Sequence, residues 1–170
     1  VDLSEFHDKV RAILWVGYPG EEGGGAIADA LFGRAVPAGR LPVSFPMCLE
    51  DLPAYEDYRM DGRTYRYATK EPLYPFGFGL TYSRFAYSDL QLGPVDPSGQ
   101  EPLRVQVILT NTGVRSAGEV AQCYLRAPRQ SYPVPAWNLA GFQRVFLDPG
   151  ESTHLTFLIR REQLAVFDPD

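Results

Sequence analysis

The residues best able to do chemistry in this chain gather in two places. The first is "VGYPGEEGGGAIADALFG" (Val16–Gly33), where Glu21 and Glu22 precede three glycines. A glycine run between a strand and a helix can cradle a phosphate, and Gly23–Ala28 formally matches the G-x-G-x-x-A fingerprint of dinucleotide sites. The two carboxylates argue against that role, because they would stand where the pyrophosphate lies. No acid closes the next extended segment, "LPVSF", to hold a ribose, and no Lys-Ser or Lys-Thr follows the glycines as in a Walker loop. A general acid is the second possibility. Crowding between neighbouring carboxylates raises a pKa, but a helix N-terminus lowers it, so the two influences oppose. The third possibility is structural. Pro19-Gly20 makes a turn, a Glu in the first helical turn satisfies free amides, and the glycines let the backbone pass close to a neighbour. That reading still lets Glu22 orient a neighbouring active-site loop.

The second place is "YEDYRMDGRTYRY" (Tyr55–Tyr67), with four Tyr, three Arg and three carboxylates in thirteen positions. Sugars offer apolar ring faces and fans of hydroxyls. Aromatic rings cover the first, and Asp and Arg hydrogen-bond the second. Tyr58, Asp61, Arg63 and Tyr65 are therefore candidate substrate-proximal residues, together with Glu22. The competing reading is a loop pinned to a domain interface by Tyr anchors and Arg–Asp pairs. "YPFGFGLTY" (Tyr74–Tyr82) reads as interdomain packing of the same kind.

Other chemistry is thin. Cys48 and Cys123 lie far apart and read as free, partly buried thiols, while His7 and His154 are isolated, so no metal site and no cofactor are expected. The net charge of −5 disfavours nucleic acid and anionic membrane as partners. No apolar run reaches the roughly 18 residues of a membrane span. The start, "VDLSEFHDKV", lacks the features of a signal peptide, which leaves localisation open.

Periodicity indicates the elements that must position these residues. "VRAILWVG" (Val10–Gly17) is a nearly continuous apolar run, broken only by Arg11 and closed by Gly17, that predicts a buried parallel strand. Ile27, Leu31 and Phe32 with interspersed alanines predict a short, closely packed helix stopped by Gly33, and "GRLPVSFP" predicts a second extended segment. The first part thus reads as a β-α-β fragment. Residues 47 to about 81 carry no sustained period. Beyond them "FAYSDLQL", "LRVQVILTNTG", "GEVAQCYLRAP", "NLAGFQRVFLDPGE" and "STHLTFLI" alternate between turn signals, as in an all-β sandwich. "LAVFDPD" stops at an apparent turn, Asp168-Pro169, where a seven-strand sandwich needs more chain, so both ends look cut.

In order, "GYPGEEGGGAIADALFGRAVPAGRLPVSFP", "GRTYRY" and "PLYPFGFGLTYSRFAYSDLQL" resemble glycoside hydrolase family 3, the β-glucosidases and β-xylosidases. "LTNTGVRSAGEVAQCYL" and "LAGFQRVFLDPGESTHLTF" resemble that family's fibronectin type III-like domain. The resemblance implies an α/β fragment, the end of an α/β sandwich, followed by an immunoglobulin-like all-β sandwich. It places the α/β part at 1–50, an interdomain aromatic loop at 51–82, and an incomplete fibronectin-like domain at 83–170. It implies retaining hydrolysis by an Asp nucleophile and a Glu acid/base. It places both in segments with no counterpart here, so no catalytic residue is assigned, and Glu21 and Glu22 match the family's "PGxEGG" turn instead. The implied partners are the family's N-terminal barrel, the rest of the α/β domain, and an oligosaccharide. The tract "MDGRTYRYATKEPLYPFGFGLTY" leans towards the β-xylosidase and arabinosidase side of that family, with β-glucosidase kept as the near-equal alternative. The alternative is a non-catalytic carbohydrate- or protein-binding sandwich module.

Overall fold

A computed structural model of the chain describes residues 2–126 and 134–165. Its ordered centre is a sandwich of two antiparallel sheets. Strands β1 (Phe85–Leu92), β2 (Leu103–Asn111), β3 (Ala117–Leu125), β4 (Asn138–Leu147) and β5 (Ser152–Ile159) coincide with the five alternating segments of the sequence. One sheet has the order β1-β2-β5 and the other pairs β3 with β4. Alternation makes the core. Val105, Val107 and Leu109 of β2 and Leu155, Phe157 and Ile159 of β5 point inward, against Ala121 of β3 and Leu147 of β4. Asn111 ends that inward row fully buried, yet satisfied. Its amide donates to the carbonyls of Leu147 and Arg115, and its carbonyl accepts from Ser83 Oγ and Gly113 N. The sandwich stays open between β1 and β3, where Val105, Val107, Ala121, Cys123 and Phe157 line a groove of about 450 Å³. The turn expected at Asp168-Pro169 lies outside the described residues.

The first part departs from its expected pairing. Helix α1 (Gly23–Leu31) forms as the spacing predicts, and Gly33 ends it at φ +72°, donating its N–H to Ala30 O. The expected close packing is absent: Gly23 is the one buried residue of α1, while Leu31 and Phe32 are 64% and 80% exposed. The apolar run Val10–Gly17 is not in a strand. A parallel strand exists only through hydrogen bonds to neighbours, and among the described residues none pairs with it. The second extended segment pairs instead with the aromatic tract. Phe45 and Tyr74 form an isolated antiparallel bridge, Leu41 N donates to Phe78 O, and Gly77 N donates to Leu41 O. The long aperiodic stretch holds only a 3-10 turn at Leu49–Asp51 and the one-turn helix α2 (Thr64–Tyr67).

Glycines and one ion pair lock the first part onto the sandwich. Gly77, at φ +81°, sits directly against Gln122 and the Tyr124 hydroxyl of β3, and any side chain there would collide with both. Gln122 Nε2 returns a 3.0 Å hydrogen bond to Gly77 O. Arg40 pairs with Glu119 of β3, their side chains only 13% and 9% exposed. Tyr87 of β1 donates to the other oxygen of Glu119 at 3.1 Å, and burial followed by that carboxylate pushes its phenol far above the ordinary range.

Candidate functional site

The aromatic loop is built around Arg63. Its guanidinium donates to the carbonyls of Ala54 at 2.9 Å, Asp57 at 2.5 Å and Arg59 at 3.2 Å, gathering three points of the loop onto one planar fork. Asp57 accepts from the Arg59 backbone N–H and from both ends of its guanidinium, which holds the Asp57 carboxyl at about 2. Gly62 turns the chain at φ +70° against Pro53, and Thr64 follows at φ +56°, a left-handed conformation that a β-branched residue adopts only under constraint. The loop spends its polar groups on itself and leaves Tyr55 and Tyr58 almost wholly in solvent, 88% and 89% exposed.

The candidate residues divide accordingly. Arg63 braces the loop. Tyr65 anchors the seam: its ring stacks on Phe76 at 4.2 Å, meets Tyr124 edge-on, and its hydroxyl accepts from Leu139 N at 3.1 Å. Tyr58 and Asp61 are exposed. Glu22 stands at the N-cap of α1, where its side chain makes no capping hydrogen bond, so the expected satisfaction of free amides is not what this carboxylate does. Of the three glycines after it, only Gly23 is held close to a neighbour, Pro19. Residues read as one cluster therefore lie in two settings, an exposed loop and a packed seam.

Where loop, α2 and the Pro42–Met47 segment meet, a groove of about 330 Å³ opens. Pro42, Pro46, Pro72, Tyr65 and Phe76 give it apolar walls, and Ser44, Thr64 and Thr69 contribute hydroxyls. Asp51 and Lys70 join across 2.6 Å in its lining. That contact holds the Asp51 carboxyl below, and the Lys70 ammonium above, its ordinary range. No sequence signal pointed to this pair, because its members are 19 positions apart in a stretch without period. The Arg40–Glu119 pair, 79 positions apart, was equally invisible. Cys48 and Cys123 are free and partly buried, as expected. Among the described residues, no group of His, Cys, Asp and Glu could hold a metal ion.

Comparison with known proteins agrees with this architecture. Residues 1–82 match the model of the glycosyl hydrolase family 3 C-terminal domain, and residues 119–170 match that of the fibronectin type III-like domain. The chain is 37% identical over 174 residues to thermostable beta-glucosidase B of Acetivibrio thermocellus, with 95% of the chain aligned. It is 38% identical over 168 residues to the periplasmic beta-glucosidase of Salmonella typhimurium. Beta-glucosidase 3B of Thermotoga neapolitana, solved in complex with glucose, superposes on 99% of the chain at a TM-score of 0.86 and 35% identity. The chain spans only a fraction of these relatives: 23% of the first, 22% of the second and 25% of the third.

Proposed function

Because the chain belongs to glycosyl hydrolase family 3, of which it carries C-terminal domain sequence and the fibronectin-like domain, we propose that it serves a retaining, exo-acting β-glycosidase. That enzyme removes terminal β-linked glucose or xylose from oligosaccharides. In this role the chain supports and borders the active site, and the two catalytic carboxylates come from outside it. Retaining hydrolysis needs a nucleophile and an acid/base about 5–5.5 Å apart. The carboxylates of Asp57, Asp51 and Glu119 are already committed to Arg59, Lys70 and Arg40.

The observation that carries this reading is the run from Val10 to Val16. Val10, Ile13, Leu14, Trp15 and Val16 are 39–46% exposed, and Tyr18 beyond them fully so. A contiguous apolar stretch with unpaired backbone has the character of a strand awaiting a sheet. A free-standing binding module has no use for such a stretch, which favours the enzyme reading over the module. The partners are then the catalytic barrel and the rest of the α/β domain, docked on this run. Tyr58 and Asp61 on the exposed loop, with Glu22 at α1, are the residues offered towards the substrate side. The domain limits 1–50, 51–82 and 83–170 belong to the same proposal, with further strands of the sandwich covering the groove between β1 and β3.

The test is reconstitution. The purified 170-residue chain is expected to leave a chromogenic aryl β-glucoside or β-xyloside intact. Mixed or fused with a family 3 catalytic portion lacking its C-terminal part, it is expected to restore turnover. Hydrolysis by the chain alone overturns the proposal.

A further inference from the structure

We propose that the groove between the Pro42–Met47 segment and α2 binds a neutral pyranose sugar, about one or two rings long. The ligand class is taken from the groove's own lining, so it stands or falls apart from the reconstitution above. The volume of about 330 Å³ lies at the small end of ligand pockets, which run from about 300 to 1,000 Å³. Its walls are apolar, as the flat faces of a pyranose require. Its polar groups are hydroxyls with spare capacity. Ser44 Oγ accepts from Phe76 N at 3.0 Å and Thr64 Oγ1 from Arg66 N at 3.3 Å, and each bond leaves the O–H of that side chain to be donated elsewhere. Lys70 gives one N–H to Asp51, which leaves two more on its ammonium.

Other ligand classes fit worse. A phosphate or other anion would meet two carboxylates, Asp51 and Glu71, against the single ammonium of Lys70. A purely apolar molecule would cover the hydroxyls and the ion pair without replacing their water hydrogen bonds. A neutral polyol with apolar faces satisfies both kinds of lining. A separate feature marks the same place. Thr64, which lines the groove, is one of only two non-glycine residues with positive φ among the described residues. Such backbone persists where its surroundings over-determine it, and it concentrates at ligand sites.

The experiment is a ¹⁵N NMR titration of the full 170-residue chain with glucose, cellobiose and xylobiose. Shifts are expected to cluster on Ser44, Asp51, Thr64, Tyr65 and Lys70, while the core amides of Leu109 and Leu155 stay put. Ser44→Ala is expected to weaken the affinity about fivefold and Lys70→Met at least about tenfold, the orders that one neutral and one charge-assisted hydrogen bond are worth. If the isolated chain does not hold its fold, the same sugars and variants are titrated on a fusion of the ¹⁵N-labelled chain to an unlabelled catalytic portion, where only the amides of this chain report, whether or not the fusion turns over. Absence of shifts, shifts elsewhere, or affinities unmoved by both variants overturns the proposal. Reconstitution that fails while the groove binds, or succeeds while it does not, tells the two readings apart.

Discussion

Arg63 shows how little of a polar loop need be about its ligand. Three of the five N–H groups of its guanidinium go to the carbonyls of Ala54, Asp57 and Arg59, so most of its hydrogen bonding serves the shape of the loop itself. Asp57 makes that shape depend on pH. Its folded pKa is lowered from 3.8 to about 2 by the Arg59 side chain first and the Arg59 backbone N–H second. A depressed carboxylate contributes stability that is complete above its unfolded pKa and fades as pH falls through its folded one. The Arg59 and Arg63 amide resonances are therefore expected to hold their positions above pH 4 and to move as pH falls towards 2. Asp57→Asn is expected to leave them flat across that window. Wild-type resonances that titrate near 4 would show that the ion pair does not form.

At the scale of elements, the two halves of the chain obey different rules. The sandwich is self-sufficient in its centre, because β2 and β5 turn every second side chain onto a shared core. Leu109 is fully buried there, and Leu109→Ala is expected to cost about 2–5 kcal/mol in urea denaturation, the range for cavities in packed cores. Phe142 on β4 is a larger side chain but 66% exposed, so Phe142→Ser is expected to stay within about 0.5 kcal/mol in the same assay. An equal loss from both would mean that β4 turns its other face inward. β1 carries a bulge between Ser88 and Gln91, with Asp89 at φ +53° inside it. That kink interrupts pairing at the edge of its sheet, a common guard against edge-to-edge association.

For the molecule as a whole, the telling quantity is where apolar surface remains. The core of the sandwich hides Leu109, Leu155 and Ile159, whereas Ile13, Leu14 and Trp15 stay about two-fifths exposed in a run without ladder partners among the described residues. Trp15 does meet Phe45 edge-on at 6.4 Å, so the run lies along the segment that pairs with the aromatic tract. Surface kept for a partner behaves differently from surface kept for a core. Leu14→Asp is expected to leave the melting of the isolated chain unchanged, since its side chain is 42% exposed. The same change is expected to abolish restoration of activity when the catalytic portion is added. A variant that melts early yet still reconstitutes would reverse that assignment.

The order of residues alone was enough to place the five strands, because alternation with period two between turn residues is what a half-buried sheet requires. It also determined α1 and its stop at Gly33, and, through several ordered motifs, the family. It could not determine the fate of Val10–Gly17. An apolar run states that a strand wants neighbours, and only the fold shows whether they are present. Nor could it separate the candidates around the aromatic loop. Arg63 and Tyr65 share a composition with Tyr58 and Asp61, but the tertiary structure spends the first two on the loop and the seam and leaves the others exposed. The Asp51–Lys70 and Arg40–Glu119 pairs came from the structure alone, since charge partners 19 and 79 positions apart leave no periodic trace in a chain. Local rules of period and propensity act over a few residues. Pairing across the seam is settled by which surfaces the folded backbone brings into contact.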